Sequence, residues 1–249
     1  MKRVTPTDLV EQQKVLSSSS YDLRITNLAR FLYRKIPVKA GTFIDIGAGN
    51  GLFLKFFKDK GYEVEGIELE KDQVHDMQKD SHLKGVPIRQ GDITKLKGKS
   101  SYDVVIASDV IEHIEDDRKA LANLYSFVKP GGYLVITVPA HSMLYGKRDK
   151  NWGHYRRYNK SDLSEKLLAL PSSEIVTTAF WNFLGFFAYG YYEKIRKQPI
   201  NETLRHSTST FSKLVRRALD AELRTEELIG GPFIGLTLVA IARKRVIIS

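Results

Sequence analysis

Asp45-Ile46-Gly47-Ala48-Gly49-Asn50-Gly51 sets three glycines at alternate positions behind an acid. Glycines so placed let the backbone turn sharply and approach a ligand closely. If a helix opens there, its free N–H groups and positive dipole end favour polar or anionic groups. The order is G-x-G-x-G, whereas dinucleotide sites use G-x-G-x-x-G. Asp45 stands two residues before the first glycine, where it repels a pyrophosphate and suits a cation such as an amino acid ammonium. Glu68 lies 21 residues after Gly47, and a carboxylate there accepts hydrogen bonds from two ribose hydroxyls. Asp92, in Gly91-Asp92-Ile93, suits an adenine amino group. The three acids and the glycines point to a nucleoside that carries an amino acid end.

A second concentration of reactive side chains fills residues 140–160, which hold His141, Tyr145, Arg148, Asp149, Trp152, His154, Tyr155, Arg156, Arg157 and Tyr158. Histidine is a base near neutral pH, and paired arginines clamp a phosphate or carboxylate bidentately. The catalytic candidates are His154, Tyr158 and His141. The substrate-binding candidates are Arg156, Arg157, Tyr145 and Trp152. The same stretch also reads as a loop packed on the sheet edge, with Trp152 and Tyr158 as covers and the arginines in solvent. His113 either touches a ligand or caps the next helix. No metal site is expected, and the absence of cysteine excludes thiolate zinc sites, disulfides and cysteine nucleophiles.

The elements that must position these groups follow from the periodicity. Thr42–Ile46, Tyr62–Glu68, Val86–Gln90, Tyr102–Ala107, Tyr133–Val138, Glu174–Phe180 and Gly235–Ala242 read as strands. Tyr102–Ala107 is an unbroken apolar run, the pattern of a strand buried on both faces. Leu52–Lys60, Lys71–Lys79, Asp116–Val128, a helix capped by Ser161 and running to Leu170, Asn182–Arg196 and Phe211–Leu223 read as helices. Residues 5–36 read as an N-terminal helical cap, with a start signal at Thr5-Pro6-Thr7-Asp8, a break at Ser17–Ser20 and Tyr21 poised near the ligand side. Alternating strands and helices imply βαβ units and a parallel sheet. Ligands bind such a sheet at the carboxyl ends of its strands.

The chain has 249 residues, 42% hydrophobic and 27% charged, which is ordinary globular composition. Its net charge of +10 is uneven, since residues 141–249 carry 18 Lys/Arg against 10 Asp/Glu. A basic excess of this kind is either a solvated surface or a face for an anionic partner. No apolar segment near the N-terminus reads as a secretory signal, and no run is long enough to span a membrane, so a cytoplasmic place is expected. Phe180–Tyr192 is dense in aromatics and is followed by Lys194, Arg196 and Lys197. It reads as core, as an apolar acceptor pocket, or as an interfacial helix against anionic lipid. His75, His82 and His206 lie outside any motif.

The sequence resembles the class I S-adenosylmethionine-dependent methyltransferases in Phe43–Gly51, Gly66-Ile67-Glu68-Leu69-Glu70, Gly91-Asp92-Ile93, Tyr102–His113 and Val128–Val138. The resemblance implies an α/β, Rossmann-like, seven-stranded sheet with helices on both faces and the last strand antiparallel. It implies S-adenosyl-L-methionine as cofactor, with Asp45, Gly47, Ala48, Gly49, Asn50 and Gly51 around the methionine part and Glu68 and Leu69 at the ribose. Asp92 and Ile93 would flank the adenine, and Ser108, Asp109, Val110 and His113 would line the wall after strand four. Gly153-His154-Tyr155-Arg156-Arg157-Tyr158 resembles a segment of type 11/12-like methyltransferases, many associated with surface polysaccharide or lipid-linked sugar pathways. The expected organisation is one methyltransferase domain over 1–249. Residues 1–40 are its helical cap, 41–140 its cofactor half, and 141–249 its acceptor half with a helical insertion at about 182–224. The expected reaction is methyl transfer to a small or lipid-linked, anionic acceptor at oxygen, with peripheral membrane contact. An RNA methyltransferase is the alternative raised by the basic excess, although no appended RNA-binding module is evident. A non-catalytic S-adenosylmethionine-binding module is a third reading.

Overall fold

A computed structural model of the chain describes residues 23–196 and 210–246. The start signal at Thr5–Asp8, the break at Ser17–Ser20, Tyr21 and His206 lie outside the described residues. The seven strands are β1 (Gly41–Ile46), β2 (Tyr62–Glu68), β3 (Ile88–Gln90), β4 (Tyr102–Ser108), β5 (Val128–Pro139), β6 (Ser173–Trp181) and β7 (Thr237–Lys244). They form one sheet in the order β3-β2-β1-β4-β5-β7-β6. β7 runs antiparallel between β5 and β6, and the pairs among β1 to β5 are parallel.

The helices are α1 (Leu23–Lys35), α2 (Leu52–Asp59), α3 (Lys71–Lys79), α4 (Asp117–Phe127), α5 (Lys147–Asn151), α6 (Lys160–Leu168), α7 (Phe183–Gly190) and α8 (Thr210–Ile229). Strand residues alternate between two cores. Ile44, Val105, Leu134 and Ile136 face Leu121 and Leu124 of α4 and Leu163 and Leu167 of α6. Phe43, Val104, Ile106 and Val135 face Leu28, Phe31 and Leu32 of α1, Leu54 and Phe57 of α2, Met77 of α3 and Leu223 of α8. Covered on both faces, β4 is apolar throughout its centre, as the sequence predicts. The expected seven-stranded sheet with helices on both faces and an antiparallel last strand is borne out.

Several boundaries differ from the sequence reading, three of them for clear physical reasons. β5 starts at Val128 and carries Pro130-Gly131-Gly132 as a bulge, because its register against β4 slips between Tyr102 and Val104. α6 is capped by Asn159 rather than Ser161, and the Asn159 amide also bonds the Ser142 backbone and hydroxyl. α8 extends past Leu223 because tertiary partners hold its last turns. Glu227 pairs with Arg30 and Arg34 of α1, and Glu226 accepts the backbone N–H groups of Asn182 and Phe183 at the start of α7. The insertion helix runs as α7 and then continues as a π-helical segment, Tyr191–Arg196.

Candidate active site

The glycine loop crosses the carboxyl end of β1 and opens α2. Gly47, with φ +83°, turns back against β4's outlet so closely that a Cβ there would lie 2.4 Å from Val110 Cγ2. Only glycine fits both the left-handed backbone and that contact. The Gly47 and Ala48 N–H groups both donate to the Ile67 carbonyl, which fastens the loop to β2. Glu68, at the end of β2, completes the clasp. Its Oε2 accepts the Gly49 N–H at 2.8 Å, and its Oε1 accepts those of Leu69 and Glu70. Oε1 is then filled and Oε2 keeps one acceptor site. Two ribose hydroxyls at Glu68 therefore require it to exchange a backbone partner. Leu69 stands 54% exposed beside it, an apolar platform at the strand end.

Asp45 is the telling residue of this loop. It is 1% exposed, and neither carboxylate oxygen has a hydrogen-bond partner in the protein. Burial, then the nearby Glu68 charge, push its carboxyl up to about 8. Unpaired buried carboxyl groups are costly unless a counter-charge meets them. This one fits an ammonium or sulfonium. Asp92, by contrast, is already held in a turn. Its Oδ1 accepts from the Thr94 N–H and hydroxyl, and its Oδ2 meets Lys95. Ile93 sends its side chain into the core, and its carbonyl accepts from the Asn123 amide.

The wall after β4 is built from Ser108, Asp109 and Val110. Ser108 shares a hydrogen bond with Thr137 on β5. Asp109 adopts φ +54° and pairs at 3.0 Å with Arg24 of α1, so the N-terminal helix is tied across the end of β4. The next turn carries Glu112 and His113. Glu112 is fully buried, both its oxygens lack a protein partner, and burial together with Asp109 raises its carboxyl well above the ordinary range. Burial and His154 push His113 down to about 4, so it is neutral at pH 7. Among the described residues Glu112, His113 and His154 bring one potential ligand atom each to within 4.8 Å of one another. The sequence reading expected no metal-ligating group here, since His154 is far from the other two in the chain.

Asp149, on α5, is the hub of the 140–160 segment. It is 1% exposed. It accepts from His154 Nδ1 at 3.0 Å, from Arg157 Nε at 2.8 and 2.9 Å, from the Tyr189 hydroxyl at 2.9 Å and from the Gly146 N–H at 3.0 Å. Burial alone would raise the carboxyl, but the bonds from His154 and Arg157 overcome it and hold the group well below its ordinary value. An ionised carboxylate only accepts, so the His154 ring turns an Nδ1–H to Asp149 and keeps Nε2 for other contacts. The His154 ring meets His113 edge-on at 4.6 Å and Trp152 at 6.2 Å.

The other expected residues divide. His141 follows β5, donates Nε2–H to the Gly235 carbonyl, stacks on Phe180 and meets Phe186 edge-on. Burial lowers its basicity. Tyr145 donates to the His154 carbonyl and so braces the segment. Trp152 is half-buried under Arg148. Tyr158 is 1% exposed and donates to Asp117, and burial and that bond push its ionisation up. Arg157 is buried on Asp149, and the part-exposed Arg156 pairs with Asp117 and donates to the Glu115 carbonyl. Their acidic partners, Asp149 and Asp117, are the roles the sequence reading missed. The only advance signal for Asp149 was its place beside the aromatic-basic run.

Comparison with known proteins matches residues 20–181 to a family described as a methyltransferase domain. The chain is similar to the ubiquinone biosynthesis O-methyltransferase of Rickettsia canadensis, 32% identical over 38% of this chain and 41% of that protein. It is also similar to phosphoethanolamine N-methyltransferase 2 of Caenorhabditis elegans, 30% identical over 60% of this chain and 35% of that one. The chain thus spans less than half the length of these relatives. Among solved structures, an S-adenosylmethionine-dependent methyltransferase from Mesorhizobium loti superposes with a TM-score of 0.61 at 15% identity, over 89% of this chain and all of that one. Phosphoethanolamine N-methyltransferase 2 of Haemonchus contortus, in complex with S-adenosyl-L-methionine, gives 0.60 at 20% identity, over 97% and 58%.

Proposed function

The chain belongs to the class I S-adenosylmethionine-dependent methyltransferases, and from that premise we propose that it methylates a hydroxyl oxygen on a small acceptor with an apolar body, free or lipid-linked. Residues 141–249 are its acceptor half, and its place is cytoplasmic, peripheral to a membrane. No helix among the described residues is long and apolar enough to cross one. The observation that carries the reading is the buried Asp149–His154 pair. A hydroxyl of high pKa needs a base, whereas a carboxylate or phosphate acceptor does not. Phe180 and Phe186 around His141 supply an apolar wall, and the arginines that would greet an anion are committed internally. The name of the Rickettsia relative, an O-methyltransferase, agrees with this choice.

S-adenosylmethionine supplies a methyl group on a sulfonium when bound. Asp45, the Gly47–Gly51 loop, Glu68 and Leu69 would hold it, with Asp92 at the adenine end. His154 takes the acceptor's hydroxyl proton at Nε2, while Asp149 fixes the ring and balances the imidazolium charge. Val110 and the His113 turn close the wall between the two halves and exclude water, which in-line transfer requires.

An acceptor panel tests the oxygen reading. With phenolic acceptors and S-adenosylmethionine, mass spectrometry is expected to detect methyl ethers. Phosphoethanolamine is expected to stay unmodified, and an N-methylated product from it would contradict the reading.

Asp45 gives a second expected result. Its carboxyl is protonated below about 8 and must ionise to meet a cation. Cofactor binding therefore releases a proton at neutral pH, and affinity rises between pH 6 and pH 8 by up to about tenfold per pH unit. Calorimetry in buffers of different ionisation enthalpy measures that proton. Uptake instead of release would contradict the role given to Asp45, and Asp45→Asn is expected to abolish the release.

A further inference from the structure

Helix α7 is amphipathic in the unusual sense. Phe186 is turned inward onto His141, Tyr189 donates to the buried Asp149, and Glu193 in the following π-helical segment accepts the Lys147 N–H. The outward side is the apolar one. Leu184 is 43% exposed, Phe187 52%, Tyr191 46% and Ile195 70%. Their spacing is the i, i+3, i+7, i+11 of a single helical face. Phe233, 83% exposed on the approach to β7, extends the stripe through its contact with Phe183 at 5.8 Å. A contiguous apolar stripe on a surface marks a contact site.

The charge around this stripe indicates what it contacts. Lys194 and Arg196 lie exposed at its end, and Lys147 and Lys150 of the adjoining α5 are exposed beside them. Glu193, the only acid in residues 183–196, is engaged by the Lys147 N–H. At the other end Glu222 accepts the Leu184 N–H. Large apolar groups with a cluster of cations at one end, on a helix lying along the surface, match the headgroup boundary of an anionic bilayer.

We propose that the outward face of α7 and its π-helical extension docks the protein on an anionic lipid surface, with Leu184, Phe187, Tyr191 and Ile195 entering the apolar boundary and Lys194 and Arg196 meeting lipid phosphates. The inference rests on the membrane-peripheral part of the function proposed above. The inner side of the same helix carries Phe186 and Tyr189, so the docked face lies one helix thickness from His141 and Asp149. A lipid-linked acceptor would then reach the site along this helix.

The test is co-sedimentation of the purified chain with vesicles of phosphatidylcholine alone and of equal parts phosphatidylcholine and phosphatidylglycerol. Binding is expected to the anionic vesicles and not to the neutral ones. Phe187→Ser with Ile195→Ser is expected to weaken it by about tenfold or more, and Lys194→Glu with Arg196→Glu to abolish it. Phe187→Ser with Ile195→Ser keeps the inward contacts of α7, and Lys194→Glu gives up only the bond from Lys194 Nζ to the Tyr145 carbonyl; the cofactor affinity and circular dichroism of both variants are expected to match those of the parent protein. Equal binding to both vesicle types, or to neither, overturns the proposal. So does a dimer in light scattering that the Phe187→Ser, Ile195→Ser variant dissolves, which would assign the stripe to a second copy of the chain. Methyl transfer to a soluble phenol, read separately, reports on the oxygen reading alone. Its failure alongside anionic-vesicle binding would sink that reading and leave the docking face standing.

Discussion

His154→Gln is expected to lower kcat by about 10²- to 10⁴-fold, the range that a positioned general base contributes, while leaving the dissociation constant for S-adenosylmethionine unchanged. Asp149 accepts from His154 Nδ1 and so leaves Nε2 to take the acceptor's hydroxyl proton. Glutamine keeps a polar group of similar reach but cannot take a proton. The ring contacts of His154 are with His113 and Trp152, so cofactor affinity is expected to hold. The tertiary bonds of Asp149 to Arg157 and Tyr189 persist in the variant, so the fold is expected to stand. Steady-state kinetics with a phenolic acceptor, paired with a cofactor titration, reads both quantities. A kcat within threefold of the parent value would remove His154 as the base and leave His141 as the remaining histidine candidate.

Asp149→Ala is expected to cost about 3–5 kcal/mol of stability, the range for breaking a buried ion pair by removing one partner. The substitution strands a buried guanidinium on Arg157, the Tyr189 hydroxyl and the Gly146 N–H at once. With total stability of about 5–15 kcal/mol for a typical domain, that is a large share. Urea unfolding measures it. Adding Arg157→Met to Asp149→Ala is expected to recover part of the loss, because the unpaired charge is removed along with its partner. If the double variant is no more stable than the single one, the cost lies elsewhere than in the stranded arginine.

The parts of this molecule that the sequence discloses are those decided locally. β2 and α3 match their sequence-predicted bounds to the residue because glycines and charge punctuate clean periodic runs. The glycine loop and Glu68 fall at the carboxyl ends of β1 and β2 because spacing along the chain already encodes a βαβ unit. What local reasoning misses depends on distant partners. Arg156 and Arg157 read as an anion clamp or as solvated surface, and Tyr158 as a catalytic group or a cover, until Asp117 and Asp149 are placed against them. The last turns of α8 are invisible without Arg30, Arg34 and the start of α7. The β5 bulge exists only as a register relation with β4. The same dependence explains Glu112: a carboxyl in an apolar strand-to-helix turn shows its burial only when α1 and the 140–160 segment close around it.

The central claim is that Asp45, the glycine loop and Glu68 form an S-adenosylmethionine site. Calorimetric titration of the protein with S-adenosylmethionine, with NAD as the comparison ligand and Glu68→Ala as the comparison protein, tests it most directly. The expected result is saturable binding of S-adenosylmethionine at one site, no heat with NAD, and loss of binding in Glu68→Ala, which removes the clasp on Gly49, Leu69 and Glu70. Binding of NAD without S-adenosylmethionine, or affinity unchanged in Glu68→Ala, would contradict it.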